Sequence, residues 1–112
     1  IEKFEDIISC HIAQELSVFI YKLFKDNKDF GFKDQIQRAT ISVGNNIAEG
    51  FERKGNKEFK HFLFMAKGSC GEIRSMANLA LKLNYVNKED FNKITSLCLE
   101  ISRLLSGLIK TL

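Results

Sequence analysis

The sequence predicts an all-α protein, a single antiparallel up-down-up-down four-helix bundle over residues 1–112. The chain has no proline, whereas average usage of about 5% would give roughly six, so long helices are favoured over a loop-rich β sandwich. Apolar residues recur at steps of three and four in four separate segments. The length of 112 residues suits one domain, which buries roughly two thirds of its unfolded surface.

The first two helices are predicted at about 3–25 and 33–53. The apolar stripe of the first is Phe4, Ile8, Ile12, Leu16, Phe19 or Ile20, and Leu23. Residues 26–31 lack the helical period and form the first loop. The stripe of the second is Ile36, Thr40, Val43, Ile47 and Phe51. This helix ends before Gly55, a residue type that favours helix C-termini.

The third and fourth helices are predicted at about 57–83 and 88–112. Asn56 and Asn87 are expected to cap them, because an Asn side chain accepts an otherwise unpaired backbone N–H. The stripe of the third is Phe59, Leu63, Ala66, Cys70, Ile73, Ala77 and Ala80. The stripe of the fourth is Phe91, Ile94, Cys98, Ile101, Leu105, Leu108 and Leu112. Short loops between amphipathic helices favour the antiparallel bundle.

Charge and cysteine content exclude several classes of protein. The net charge of +3 is small for a nucleic-acid-binding tail, so any such binding depends on local clustering. Cys10, Cys70 and Cys98 form no C-x-x-C pair, which supports neither a disulfide framework nor a zinc site, and we expect buried thiols. No apolar run approaches the ~20 residues of a membrane span, and residues 1–6 are too acidic for a secretory signal. We expect a cytoplasmic protein without membrane contact.

The third helix carries more apolar residues than one core face needs. Phe62, Phe64 and Met65 lie beside its main stripe. They are either ordinary exposed hydrophobic residues or part of an interface between subunits. The sequence predicts the interface, because ten phenylalanines are many for a small bundle.

Four glycines lie inside the second and third helices, namely Gly44, Gly50, Gly68 and Gly71. Each costs roughly 0.5–1 kcal/mol relative to Ala, so we expect a compensating close approach of the two backbones. In a tight hairpin centred near Gly55, the facing pairs are Gly68 with Ser42, Gly71 with Ala39 and Ala66 with Gly44.

The same register places Arg38 opposite Glu72 and predicts a largely buried ion pair between them. Neighbouring polar residues complete a predicted structural network, which comprises Gln35, Arg38, Ser42, Asn46 (or Asn45), Glu49, Ser69 and Glu72. The alternative is a polar catalytic groove. Pairing is the usual reason that buried charges persist, so the structural interpretation is favoured.

The motifs around this network resemble a known family. They are Gln35-Ile36-Gln37-Arg38-Ala39, Asn46-Ile47-Ala48-Glu49-Gly50 and Ala66-Lys67-Gly68-Ser69-Cys70-Gly71-Glu72. N-I-A-E-G followed by A-K-G-S-x-x-E on the next helix is similar to the four-helix-bundle proteins first noticed in intervening sequences of bacterial 23S rRNA genes. Those relatives usually have Ser or Thr as the cap before Q-x-R-A, whereas here Asp34 precedes Gln35 and is expected to cap the helix.

The resemblance implies a bacterial cytosolic protein that forms a ring-shaped homopentamer and associates with RNA or the ribosome. A more distant relative is the accessory subunit of diversity-generating retroelements, a basic pentamer that engages nucleic acid and a reverse transcriptase. That relative implies a possible protein partner as well.

A basic cluster surrounds the turn between the second and third helices and comprises Arg53, Lys54, Lys57 and Lys60. It is either a solvated helix end or, in a pentamer with five turns on one rim, a surface for the phosphates of a nucleic acid. We call these four residues the rim.

Other chemistry finds little support in the residues. Glu58 and His61 have the spacing of a di-iron ligand pair, but Ile8 stands three residues before His11, the other histidine. No catalytic triad or phosphate loop can be assembled. We therefore expect no catalytic, cofactor-binding or metal site and predict a non-enzymatic RNA- or ribosome-associated protein. The alternative is a protein-interaction scaffold without direct nucleic-acid binding.

Overall fold

The computed structural model describes the backbone of residues 4–112 and the side chains from residue 8 onward. Within this range the chain forms four helices and no strand, namely α1 (Phe4–Leu23), α2 (Phe30–Phe51), α3 (Asn56–Lys82) and α4 (Lys88–Lys110). Each helix packs against the next, and α4 packs back against α1, closing a bundle of 43 × 23 × 18 Å. The predicted all-α class is confirmed. The side chain of Phe4 lies outside the described residues.

The core is one cluster to which all four helices contribute. On α3 the buried residues are Phe59, Leu63, Ala66, Cys70, Ile73, Met76, Ala77 and Ala80. On α4 they are Ile94, Leu97, Cys98, Ile101, Leu105 and Leu108. On α2, Phe32, Ala39 and Gly50 are buried in addition to the predicted stripe, while Phe51 is half-buried. The predicted stripes of α2, α3 and α4 thus form the core, except where residues near the helix ends are half-buried.

Helix α1 is rotated relative to the prediction. The predicted Leu16 is buried, and of the alternatives Phe19 and Ile20 it is Ile20 that is buried, together with Ala13 and Phe24. Ile12, Phe19 and Leu23 are only half-buried. Small residues explain the rotation. A Cβ on Gly44 of α2 would lie 3.9 Å from that of Ala13, and the hydroxyls of Ser17 and Thr40 share a 3.2 Å hydrogen bond. These contacts hold α1 close to α2 and turn its larger side chains toward the edges.

Helix α2 begins at Phe30, earlier than predicted, because Asp29 caps it. The Asp29 carboxylate accepts the N–H of Phe32 at 3.2 Å and the hydroxyl of Tyr85 at 2.6 Å. Phe32 is buried, with its ring centroid 5.6 Å from that of Phe24 and 5.3 Å from that of Tyr85. Asp34, the expected cap, lies inside the helix. The Asp29 cap and the burial of Phe32 therefore together set the helix start.

The two predicted Asn caps have different outcomes. Asn87 caps α4, because its side chain accepts the N–H of Asp90 at 2.7 Å. The prediction for Asn56 is wrong, since Gly55 holds the cap position with extended backbone and Asn56 is already the first residue of α3. The Gly55 carbonyl accepts the N–H of Phe59, which starts the helix without a side-chain cap.

The predicted role of the glycines is also wrong for three of the four. A Cβ on Gly68 or Gly71 would meet nothing within 4 Å in the part of the chain that is described, and Gly44 faces α1 rather than α3. Gly50 is the close approach between α2 and α3, since a Cβ there would lie 2.9 Å from Cδ1 of Phe59. This close approach lies beside the turn of the hairpin, since Gly50 is the penultimate residue of α2.

Replacing Gly50 by Ala should destabilise the chain, and replacing Gly68 by Ala should stabilise it. The added methyl at Gly50 meets the buried Phe59 ring, and overpacking costs about 1–3 kcal/mol, which exceeds the gain in helix propensity. At Gly68 only the propensity gain of about 0.5–1 kcal/mol remains. Urea unfolding of both variants measures the difference, and equal shifts would contradict this packing.

The hydrogen bond between Asp29 and Tyr85 should be visible in acid titration. The Tyr85 hydroxyl, followed by the Phe32 N–H, lowers the pKa of the Asp29 carboxyl below its ordinary value. A carboxyl with a lowered folded-state pKa contributes stability above its unfolded pKa and loses it as the pH falls through the folded value. In Y85F the pKa of Asp29, followed by NMR, should rise. Y21F, which alters the other tyrosine of the chain, on α1, is the control and should leave the pKa of Asp29 unchanged.

Candidate nucleic-acid interface

The predicted rim does not act as four free cations. The Arg53 guanidinium pairs with the Glu49 carboxylate one turn earlier, and it lies 4.8 Å from the centroid of the Phe62 ring. Lys54 and Lys57 are exposed, and Lys60 is half-buried. The turn itself therefore presents two exposed lysines, while Arg53 closes the end of the α2–α3 hairpin.

The predicted buried ion pair between Arg38 and Glu72 is wrong. The Arg38 side chain is 80% exposed, and its Nε donates to the Asp34 carboxylate at 3.2 Å. Glu72 is also exposed and accepts a hydrogen bond from Gln35 Nε2 at 3.3 Å. Asp34 lies one turn before Arg38 on the same helix, so Arg38 finds a partner while its charge stays in water. That arrangement avoids the desolvation cost of a buried pair.

The remainder of the predicted polar network is a small group between α2 and α3. The hydroxyls of Ser42 and Ser69 share a hydrogen bond at 3.0 Å. Asn46 Nδ2 donates to both the carbonyl and the hydroxyl of Ser42, each at 2.9 Å. The contact between Ser42 and Ser69 agrees with the predicted hairpin register to within one residue. Glu49, the last member, is occupied by Arg53.

The three residues predicted for an interface separate in the structure. Phe62 is half-buried against the backbone at Gly50 and beneath Arg53. Met65 is exposed and lines a surface depression together with Tyr21 and Ile41. Phe64, 54% exposed, lies on the other side of α3. We call Val18, Tyr21, Ile41 and Met65 the apolar patch, since all four are exposed around the outer side of α2.

One side of α3 carries three cations at steps of seven residues, Lys60, Lys67 and Arg74. Residues seven apart lie nearly on one line along a helix, about 10.5 Å apart. Lys67 Nζ donates to the hydroxyl of Ser106 in α4 at 2.6 Å. This row of cations therefore follows the seam between α3 and α4.

Helix α4 contributes two more cations to the same surface. Arg103 and Lys110 are exposed, lie seven residues apart and bracket Ser106. Because α3 and α4 are antiparallel, Lys110 lies toward the Lys60 end of the seam. We call these five cations the basic face, namely Lys60, Lys67, Arg74, Arg103 and Lys110.

One carboxylate shares a line with the basic face, since Glu89 precedes Arg103 by fourteen residues on α4, and the larger acidic side of α3 lies elsewhere. On α3, Glu72 bonds Gln35 of α2, and Glu58, fourteen residues earlier, shares that side of the helix. On α4, Glu100 follows Lys93 by seven residues, and the Lys93 ammonium lies 4.5 Å from the centroid of the Phe19 ring in α1. The ion pairs among residues 8–112 are Arg38–Asp34 and Arg53–Glu49, so no described carboxylate is ion-paired with the basic face.

Two buried thiols lie beneath the basic face, Cys70 of α3 and Cys98 of α4. A hydrogen bond from Cys98 lowers the pKa of Cys70 against the opposing effect of burial, and the charges of Arg74 and Lys67 lower it further. The same bond, together with burial, raises the pKa of Cys98. The expectation of buried thiols is confirmed for this pair, whereas Cys10 is half-buried.

Metal ligands and membrane spans are not found in the described part of the chain. Glu58 and His61 are exposed on α3, and no three His, Cys, Asp or Glu side chains among the described residues group into a metal site. None of the helices between residues 4 and 112 is long and apolar enough to cross a bilayer.

Sequence reasoning missed four of the five residues of the basic face. Lys60 was assigned to the rim, while Lys67, Arg74, Arg103 and Lys110 were not singled out. The signal was the spacing of seven residues on both helices. It becomes informative only with the rotation of α3, which shows that the row faces α4 and not α2.

The fold and this surface define an all-α, four-helix protein with a row of cations along the seam between α3 and α4. The family model of the 23S rRNA-intervening sequence protein matches residues 5–107, and the chain belongs to this family. The resemblance inferred from the motifs is thereby confirmed.

A solved structure supports the same assignment. The crystal structure of a protein of unknown function from the S23 ribosomal protein family of Bacteroides thetaiotaomicron VPI-5482 has a TM-score of 0.89 to this chain at 26% sequence identity. The alignment covers 96% of this chain and 99% of that one. A search of curated proteins finds no match.

Replacing Arg38 by Leu should leave stability nearly unchanged. An exposed pair such as Arg38–Asp34 contributes little, so the free energy of unfolding should change by less than ~0.5 kcal/mol. Thermal and urea unfolding measure this directly. A strong loss of stability would instead support a buried ion pair between Arg38 and Glu72. E72Q provides a second check, since its free energy of unfolding should also be nearly unchanged.

Proposed function

We propose that this chain is a non-enzymatic, cytoplasmic RNA-binding protein that holds the phosphate backbone of RNA on the basic face. The observation that supports the proposal is the gathering of five cations along one helix seam, none of which forms an ion pair with a described carboxylate. The overall charge of +3 gives no such indication. What matters for a polyanion is the local density of uncompensated charge.

The geometry of the basic face suits backbone contacts. Its α3 row extends over fourteen residues, about 21 Å along the helix, and the α4 row runs beside it at about 8–10 Å. Cations in such rows bind phosphates and displace counterions without reading sequence. The family is described by its link to 23S rRNA, and the solved relative is assigned to a ribosomal protein family. Both descriptions favour RNA as the polyanion.

A charge-matched pair of variants tests this proposal. K60Q/R74Q/R103Q removes three cations from the basic face and leaves Lys67 bonded to Ser106. K22Q/K25Q/K28Q removes three exposed lysines near the α1–α2 loop and has the same net charge. Binding to a labelled fragment of bacterial 23S rRNA is followed by fluorescence anisotropy between 50 and 200 mM salt. Each lost phosphate contact makes the slope of log K against log salt shallower by about 0.7–0.9. The slope of K60Q/R74Q/R103Q should therefore be shallower by roughly 2–3 than that of the unmodified chain.

The control variant should keep most of the affinity and slope. Equal losses in the two variants would show that net charge alone governs binding and would contradict the basic face. K54Q/K57Q tests the rim in the same assay and should have the smaller effect, since only these two rim lysines are freely exposed. Absence of binding by the unmodified chain at 50 mM salt would overturn the proposal.

A second candidate, a protein-interaction scaffold, is favoured by the apolar patch. Val18, Tyr21 and Ile41 line a shallow groove of about 390 Å³ between α1 and α2, and Met65 extends the patch across α2. Exposed apolar surface of this kind is typical of association sites. We propose that it serves assembly of the chain into a homopentamer. If the salt series detects no RNA binding, the same patch favours a protein partner as the main role.

A further inference from the structure

We propose that Phe64 makes the basic face a platform for single-stranded RNA, a specificity that rests on the proposed RNA binding and extends it. Phe64 lies four residues after Lys60 and three before Lys67, so it falls within the row of cations on α3. Its side chain is 54% exposed. The Lys67 ammonium lies 5.9 Å from the centroid of its ring.

The ring of Phe64 is available to a ligand. The ring pairs in the described part of the chain involve other aromatic residues, such as Phe51 with Phe59 and Phe24 with Phe32. Those rings pack within the bundle, whereas no described aromatic ring contacts Phe64. An aromatic side chain that is held between cations and left open to solvent can receive another flat ring on its face.

A nucleotide satisfies both parts of this surface at once. A base that stacks on Phe64 leaves its own phosphates near the helix surface, with Lys60 and Lys67 one turn to either side, about 4.5–6 Å along the axis. Stacking on aromatic side chains combined with a cationic groove is the usual way in which proteins bind single strands without sequence preference. The ammonium of Lys67 is fixed by Ser106, so it is already positioned for a phosphate.

Duplex RNA cannot use the ring in this way. Its bases are stacked on each other inside the helix, and proteins contact its 2′-hydroxyls and phosphates. Phe64 would then face phosphate or solvent and add nothing to the cations around it. The structure therefore favours unpaired RNA over paired RNA at equal length.

The test compares one labelled 15-nucleotide unstructured RNA with the same strand annealed to its complement, at about 100 mM salt. F64A should weaken single-strand binding on the order of tenfold, the typical contribution of one stacked base, and leave duplex binding unchanged. F64Y should restore single-strand binding. The salt slope of F64A should equal that of the unmodified chain, because no phosphate contact is lost.

The matched control is F30A. Phe30 is 68% exposed and has the Lys33 ammonium 5.7 Å from its ring centroid, but it lies at the start of α2, away from the basic face. F30A should bind both RNAs as the unmodified chain does. Equal weakening by F64A and F30A would overturn the inference. So would equal loss of single-strand and duplex binding in F64A.

Sedimentation of F64A separates RNA stacking from assembly. The F64A variant should form an assembly of the same mass as the unmodified protein does. A lower mass would show that Phe64 lies in a subunit interface and would overturn the proposed RNA platform. The two proposals fail differently. If K60Q/R74Q/R103Q binds like its control, the basic face itself is wrong. If that variant is weakened while F64A keeps the single-strand preference, only the role of Phe64 is wrong.

Discussion

The buried stripe of α3 determines what the rest of this surface can do. Because the buried residues of α3, from Phe59 to Ala80, must face the core, the rotation of α3 is fixed along its whole length. One flank then meets α2, where Ser69 bonds Ser42, and the other meets α4, where Lys67 bonds Ser106. A rotation by one residue would turn the helix by about 100° and scatter its charges among three surfaces. The separation of cations from carboxylates on α3 is thus a product of core packing.

The sequence predicts those parts of the fold in which a long apolar period leaves one solution. The stripes of α3 and α4 and the cap at Asn87 are of this kind. On α1 the apolar residues allow two neighbouring stripes, and small residues at Ala13 and Gly44 decide between them. The size and hydrophobicity of the α1 residues do not reveal which stripe is buried, because the choice depends on how closely α2 can approach.

The predicted polar sites fail for a related reason. The predicted register of the α2–α3 hairpin was right to within one residue. A register states which residues of the two helices lie opposite each other, but not toward which flank of the helix a side chain points. Arg38 pairs with Asp34 on its own helix, and this local partner keeps its charge in water. To predict the basic face, one needs the alignment of α3 with α2 and also its alignment with α4. The sequence directly indicates only the alignment with α2, through the short turn at Gly55. The α4 side follows only from packed side chains.

The basic face lies entirely within helices, and none of its residues belongs to a loop. The α1–α2, α2–α3 and α3–α4 connections can therefore change in length or composition during evolution without moving any of the five cations, provided that the bundle still closes. Relatives could differ freely at these connections and acquire extra segments there while the surface between α3 and α4 persists. The connections are likewise the natural points for attaching a reporter or a second domain.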